Sequence, residues 1–110
     1  MPTARMRRVN EVIREVIGAA IATDLKDPRI GFVTITSVET SPDLRHARVF
    51  VSVLGTPEER EATLEGLRSA HGVLQGKIAS EMRIKRTPTL DFQYDDTIDQ
   101  GMRITELLDE

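Results

Sequence analysis

The sequence predicts a single α/β domain with elements in the order helix, strand, strand, helix, bend, helix, strand. Apolar residues first recur every three or four positions, which is typical of a helix with one buried face. Two stretches rich in Val, Ile and Thr follow, separated by a short turn. Two more helical stretches then meet at a glycine before a last alternating strand. With 110 residues the chain can bury one modest core, so we expect one domain.

The first helix is predicted over residues 3–23, because its apolar positions share one face. Asp27-Pro28-Arg29-Ile30-Gly31 should follow it as a break, since proline cannot continue a helix and glycine favours a turn. The N-terminus carries arginines within an amphipathic run and does not resemble a signal peptide. No stretch reaches the length of a membrane span.

The next two elements are predicted to form an antiparallel hairpin. The strands cover Phe32–Thr40 and residues 45–54, and Ser41-Pro42-Asp43 is the turn between them. The second strand alternates, with four aliphatic residues on one face and His46, Arg48 and Phe50 on the other. These three should line an exposed sheet face, unless Phe50 belongs to the core.

A capping box predicts the start of the second helix, since Thr56 can cap it, Pro57 suits its first position and Glu59 completes the box. This helix should run to about Ser69. A third helix should continue until Thr87-Pro88 ends it, with Gly76 permitting close packing on the sheet. Thr89–Tyr94 is the predicted third strand. Beyond it the apolar residues of a tail could cover an open edge of the core: Ile98, Met102 and Leu108.

The charge of the chain is unevenly distributed, although its formal net value is only −3. Residues 77–86 contain four bases against one acid, whereas residues 91–110 contain seven acids against one arginine. Such a distribution favours a polyanion partner for the basic part and places the acidic tail away from it. The absence of cysteine excludes disulfides and thiolate chemistry and agrees with a cytoplasmic protein.

The bend at Ala70-His71-Gly72 is the first candidate site. Glycine is unfavourable inside a helix by about 1 kcal/mol relative to alanine, so helical periodicity on both sides of it needs a reason. One interpretation is that the new helix presents backbone N–H groups to a phosphate. The other is that the bend serves packing alone.

Three basic clusters are the second candidate, and together they favour a polyanion surface even though each alone is unremarkable. They lie at the first helix, at the start of the second strand and around the end of the third helix: Arg5, Arg7, Arg8; Arg45, Arg48; Lys77, Arg83, Lys85, Arg86. Arg14 also belongs to the first cluster but is not among the predicted RNA contacts. The alternative for the last cluster is a solvated helix face on which Glu81 pairs with Lys77 or Lys85 at four-residue spacing.

The sequence offers no recognisable catalytic or metal site, so we predict no enzyme, no cofactor and no metal. His46 and His71 are far apart in sequence and lack a ligand spacing. Asp95, Asp96 and Asp99 could hold Mg²⁺ as in a nuclease, but a turn that caps a helix is the favoured interpretation of these residues. No phosphate-binding loop, dinucleotide fingerprint or nucleophile elbow is present.

Several longer motifs, distributed over essentially the whole chain, resemble the ribosome-binding factor A family. The matching stretches are Arg5-Met6-Arg7-Arg8-Val9-Asn10-Glu11, Lys26-Asp27-Pro28-Arg29-Ile30-Gly31, Arg45-His46-Ala47-Arg48-Val49-Phe50-Val51-Ser52-Val53, Arg83-Ile84-Lys85-Arg86-Thr87-Pro88-Thr89-Leu90-Asp91-Phe92, Tyr94-Asp95-Asp96-Thr97 and Gly101-Met102-Arg103-Ile104. Ala70-His71-Gly72 matches the Ala-x-Gly kink of that family, which replaces the Gly-x-x-Gly loop of ordinary KH domains.

The resemblance implies a type II KH-like fold with a three-stranded sheet packed against helices on one face. Residues 1–96 would form the KH-like RNA-binding domain, and residues 97–110 an acidic tail with a short helix packed on it. It also implies a monomer that binds the free small (30S) subunit and its rRNA. The family assists late maturation and 5′-end processing of 16S rRNA and leaves before translation, in some bacteria with a release GTPase. The alternative function is a module that docks mainly on ribosomal proteins.

Overall fold

The six predicted elements are present, in the predicted order, in a computed structural model that describes residues 2–83 and 86–97. They are α1 (Ala4–Thr23), β1 (Phe32–Thr40), β2 (His46–Leu54), α2 (Pro57–Ser69), α3 (His71–Met82) and β3 (Thr89–Tyr94). Lys85 lies outside the described residues, as does the predicted tail beyond Thr97 with Ile98, Met102 and Leu108. The expectations for those residues remain predictions.

Side-chain caps fix the starts of two helices where the sequence predicted them. The Thr3 hydroxyl accepts a hydrogen bond from the Met6 N–H at the start of α1. At α2, Thr56 accepts from the Glu59 N–H while the Glu59 carboxylate accepts from the Thr56 N–H. Each bond satisfies a donor that a helix start leaves without a partner.

Among the helices of the described residues, none combines the length and the apolar composition that a transmembrane span requires.

The three strands form one sheet in the order β1-β2-β3. β1 and β2 are antiparallel, and a bulge between Ile35 and Ser37 inserts Thr36 as an extra residue in β1. β3 lies parallel to β2, with His46 opposite Thr89 and Val51 opposite Tyr94. Parallel pairing needs a long crossover, and α2 and α3 provide it.

The core lies between the helices and one face of the sheet, as predicted. The alternating residues Ala47, Val49, Val51 and Val53 of β2 are buried, while His46 and Arg48 are exposed and Phe50 is half-buried. The β2 side chains share a single hydrophobic core with residues of all three helices and β3: Val9, Ile13, Ile17, Ala20, Leu64, Leu67, Leu74, Ile78, Leu90 and Phe92. The opposite face of the sheet, which carries His46, Arg48 and Phe50, is named here the open face.

Two expectations for the third helix are wrong. α3 ends at Met82 and not at Thr87, because Arg83 adopts a left-handed conformation with φ +55°. The early end lets the chain turn back to β2, where the Thr89 N–H donates to the Arg45 carbonyl. Gly76 does not permit a close contact, since a Cβ there would meet nothing within 4 Å.

The close contact is made instead by Gly66 of α2, against the segment of residues 27–31. A Cβ on Gly66 would lie 2.7 Å from Cγ1 of Ile30. The buried Thr63 hydroxyl accepts from the Gly31 N–H and donates to the Arg29 carbonyl. Arg29 also donates to the Ser69 hydroxyl at the end of α2, so the segment is held along the second half of this helix.

Asp27 holds this segment through a pH-dependent ion pair, which gives a first prediction. Hydrogen bonds from the Arg29 side chain and N–H lower the pKa of Asp27 from 3.8 to about 2. Its stabilising contribution is therefore complete above its ordinary pKa and is lost as the pH falls towards 2. We expect the difference in Tm between the native protein and Asp27→Asn to stay constant from pH 7 to 5. The difference should shrink between pH 4 and 2; an equal difference at pH 7 and pH 2 would contradict the ion pair.

Candidate nucleic-acid interface

Four of the predicted arginines, drawn from all three basic clusters, line one groove. Arg5 and Arg8 come from the first turns of α1, Arg45 from the turn before β2, and Arg86 from the chain after α3. They are up to 81 positions apart in sequence, and the packing of α1 against α3 and of β3 against β2 brings them together. This set of residues is named here the basic groove.

A rigid turn presents Arg45 to the basic groove. The Asp43 carboxylate accepts hydrogen bonds from the Ser41 hydroxyl and from the Arg45 N–H, and these bonds lower the pKa of Asp43. Leu44 between them has φ +59°, a conformation that non-glycine residues adopt at an energetic cost of about 1 kcal/mol or more. Its N–H donates to the Ser41 carbonyl. The turn is thus fixed in a strained form beside a cluster of arginines, as is common at binding sites.

The electrostatic balance of the basic groove favours an anion. Its described lining holds four arginines against Asp43 and Glu81. The start of α1 at Thr3 also lies here, and a helix N-terminus adds partial positive charge. The C-terminal end of α3 also lies here and adds partial negative charge, which offsets the effect of the α1 start. The arginines therefore decide the sign of the electrostatic potential in the groove. The Asp43 charge is already engaged in its turn.

The groove also has an apolar floor that the sequence did not reveal. Between the arginines lie Met6, Val9, Val12, Leu44, Met82 and Pro88. Val9 belongs to the hydrophobic core and Met82 packs against it, so the helix faces that form the core extend to this surface. A surface with cationic edges and an apolar floor suits a phosphate backbone with exposed sugars or bases better than a free inorganic anion.

Arg48, predicted with Arg45, does not lie with the groove arginines. On the open face its neighbours across the sheet are acidic, Glu39 on β1 and Asp91 on β3. His46 lies one row away beside Thr89. Like charges repel and unlike charges compensate across strands, so the positive charge of Arg48 is balanced within the sheet. This position is poorly suited to attract a polyanion.

The predicted bend between two helices is confirmed. α2 ends at Ser69 and α3 begins at His71, with Ala70 between them at φ −87° and ψ 4°. His71 and Gly72 are exposed, and Nδ1 of His71 lies 2.8 Å from the Arg68 carbonyl oxygen. The bend and the basic groove lie at opposite ends of α3, roughly 18 Å apart for a helix of 12 residues. They are therefore two separate surfaces.

The geometry at Gly72 gives a second prediction. A Cβ there would meet nothing within 4 Å, and no positive φ requires glycine. We expect Gly72→Ala to leave the free energy of unfolding unchanged or to raise it by up to about 1 kcal/mol, through helix propensity and lower unfolded-state entropy. Denaturant unfolding measures this effect. A loss of more than about 1 kcal/mol would show that the bend depends on glycine itself.

The remaining predicted bases are dispersed. The Lys77 ammonium lies 2.8 Å from the Asp24 carboxylate at the end of α1, so its partner is not Glu81 as the four-residue spacing suggested. That hydrogen bond also lowers the pKa of Asp24. Arg7 is exposed on the outer side of α1, and Arg83 is exposed at the end of α3. Of the twelve predicted positions, the structure therefore brings together four in the basic groove and three at the bend.

The Asp95 carboxylate takes part in a turn, as the sequence favoured. It accepts hydrogen bonds from the Thr97 N–H and from the Thr36 hydroxyl, 2.7 Å away on β1. Hydrogen bonds from Thr97 and Thr36 lower the pKa of Asp95. Within the described part of the chain, no three His, Cys, Asp or Glu side chains are grouped to hold a metal ion. Asp99 lies outside it.

Comparison with known proteins identifies the family. The model of the ribosome-binding factor A family matches residues 5–108. A ribosome-binding factor A of Halothermothrix orenii is 46% identical over 108 residues, which cover 98% of this chain and 88% of that protein.

One solved structure and one homology model fitted into a cryo-EM map agree with this fold. A solution structure of a Thermotoga maritima protein, described as a ribosome-binding factor A, has a TM-score of 0.74 at 38% identity and covers 84% of this chain and 89% of its own. A homology model of the Thermus thermophilus ribosome-binding factor A, fitted into a cryo-EM map of its complex with the 30S subunit, has a TM-score of 0.63 at 26% identity. The matched region covers 84% of this chain and 93% of the Thermus thermophilus chain. The chain therefore belongs to the ribosome-binding factor A family.

Proposed function

We propose that this protein binds the free small ribosomal subunit through its rRNA, assists late maturation and 5′-end processing of 16S rRNA, and dissociates before translation. Membership of the ribosome-binding factor A family supports ribosome binding in general. The Thermus thermophilus relative fitted into a 30S complex supports the small subunit as the target. We further propose that it acts in the cytoplasm as a monomer.

The observation that carries the RNA part of the proposal is the basic groove. Four arginines from three parts of the chain converge there against two acids, one of which is engaged in a turn. Phosphate neutralisation by such groups supplies most of the sequence-independent affinity for nucleic acid. The other predicted positions are proposed as secondary contacts, apart from Arg48, whose charge is balanced within the sheet: Arg7, Lys77, Arg83, Lys85 and the bend at Ala70-His71-Gly72.

We propose a mechanism without catalysis. A protein that binds one arrangement of rRNA more tightly than another shifts the population towards the first. It leaves when the mature arrangement no longer fits, and it needs no nucleophile or metal to do so. The engaged carboxylate of Asp95 and the separate placement of His46 and His71 are consistent with this role.

Sedimentation of the protein with purified ribosomal particles at increasing salt tests the proposal. Binding to free small subunits should weaken with a slope of log affinity against log salt steeper than about −3, because each neutralised phosphate contributes about −0.7 to −0.9. Large subunits and intact ribosomes serve as controls and should bind less. A flat salt response, or equal binding to all particles, would contradict rRNA as the target and favour docking on ribosomal protein.

A further inference from the structure

The open face of the sheet carries an exposed apolar pair at one end. Phe32 and Leu54 are direct partners across β1 and β2, and they expose 81% and 78% of their surface. Leu54 continues the alternation of His46, Arg48 and Phe50, so the pair lies on the face away from the core. Two adjacent large apolar side chains left in water indicate a surface that something else covers.

The chain leaves the sheet close to this pair. β3 is parallel to β2, so it runs towards Leu54 when it ends at Tyr94. The Asp95 N–H continues the ladder by donating to the Val51 carbonyl. Asp95 therefore lies in the row of Ser52, and the next row of open-face side chains contains Leu54 and Phe32. Two residues of a strand separate these rows, which is about 7 Å.

A side-chain contact joins the end of β3 to β1 at this point. The Asp95 carboxylate accepts from the Thr36 hydroxyl, which belongs to β1 on the far side of β2. Thr36 is the bulged residue, and its hydroxyl also reaches the Phe50 carbonyl. The same carboxylate also accepts a hydrogen bond from the Thr97 N–H. These bonds hold Asp95 and Thr97, the last described residue, at the end of the open face that carries the pair.

The sequence beyond Thr97 has the composition that such a surface requires. Thirteen residues follow, among them five apolar ones: Ile98, Met102, Ile104, Leu107 and Leu108. The first of these is only three positions past Asp95, so a connection of a few residues reaches the pair. We propose that residues 98–110 fold back on their own domain and cover Phe32 and Leu54. The pair is thus an intramolecular docking surface for the C-terminal segment.

Trypsin cleavage after Arg103 in the full chain tests this, because proteolysis tracks the population in which a segment is released. Replacing both Phe32 and Leu54 by serine should increase the rate of cleavage at Arg103 at least about threefold. Val73→Ser is the matched control, since Val73 is also exposed, at 57%, but lies on α3. Cleavage after Arg14 in α1, followed in the same digest, shows whether a variant remains folded.

A second measurement keeps the test decisive if the double variant unfolds. Nuclear Overhauser contacts between the Leu54 methyls and the Ile98 or Met102 methyls are expected in the native chain, and Met102→Asp should weaken or abolish those of Ile98. Gln100→Asp, which adds the same charge nearby, should preserve them. Absence of these contacts would overturn the proposal. So would concentration-dependent dimerisation through the pair, or small-subunit binding lost in the double variant with cleavage at Arg103 unchanged.

Discussion

Replacing Arg8, Arg45 and Arg86 together by glutamine should weaken binding to free small ribosomal subunits by at least about tenfold at 0.1 M salt. The three side chains are exposed in the basic groove and contribute to no ion pair on which the fold depends among the described residues. Each lost phosphate contact removes close to one unit from the salt slope, so the slope should become shallower by about 2 to 3. Thermal unfolding should change little, since exposed charges contribute little to stability.

The matched control removes the same number of charges elsewhere. Arg14, Lys26 and Arg48 are exposed outside the groove, and Arg48 stands between two acids in the sheet. Their joint replacement by glutamine should change affinity less than about threefold, although the net charge falls equally. Equal weakening in both triple variants would mean that the overall charge, and not the groove, governs binding. If the groove variant binds small subunits as tightly as the native protein, the bend at Ala70-His71-Gly72 becomes the favoured interface.

Gly66→Ala should have the largest effect on stability among the glycine substitutions, with a net loss of about 1 to 3 kcal/mol. The new Cβ would lie 2.7 Å from Ile30 Cγ1, a distance that forces the helix or the segment of residues 27–31 to move. Inserting even one methyl group into a packed contact of this kind typically destabilises by that amount. Denaturant unfolding at neutral pH measures it, and Tm should fall by several degrees.

Gly72→Ala is the internal control, because both glycines belong to adjacent helices and only Gly66 has a close neighbour. Helix propensity alone would favour alanine at either position by up to about 1 kcal/mol. If Gly66→Ala lowers the free energy of unfolding while Gly72→Ala raises it, the difference isolates the steric contribution at Gly66. A Gly66→Ala protein as stable as the native one would show that the segment of residues 27–31 is not tightly held on α2.

Local sequence patterns were enough to predict most of the architecture. The period of the apolar residues located the helices and strands, and the Thr56 capping box fixed the start of α2 to the residue. The bend at Ala70 followed from helical periodicity on both sides of a glycine. In each case the signal lies within a few neighbouring residues, so the rest of the fold is not needed to interpret it.

Features set by distant contacts were missed or misassigned. Nothing local indicates that Arg83 takes a left-handed conformation, because the turn serves the pairing of β3 with β2. Gly66 and Gly76 are indistinguishable as helical glycines, and only the packing of residue 30 separates them. Lys77 pairs with Asp24, 53 positions earlier, and not with its helical neighbour. The basic groove likewise forms only in the folded chain, because its arginines are far apart in sequence and no local spacing connects them.

The parallel pairing of β3 with β2 ties binding to the completion of folding. β2 ends at Leu54 and β3 begins at Thr89, so this pair closes a long loop and should form late, after the local helices and the β1–β2 hairpin. The bond from the Thr89 N–H to the Arg45 carbonyl joins the last strand to the turn that presents Arg45, and Arg86 lies just before it. A chain emerging during synthesis would thus carry its arginines dispersed until the final strand docks. Under the proposed function, only a fully folded molecule would therefore bind ribosomal RNA, and unfinished chains would not occupy subunits unproductively.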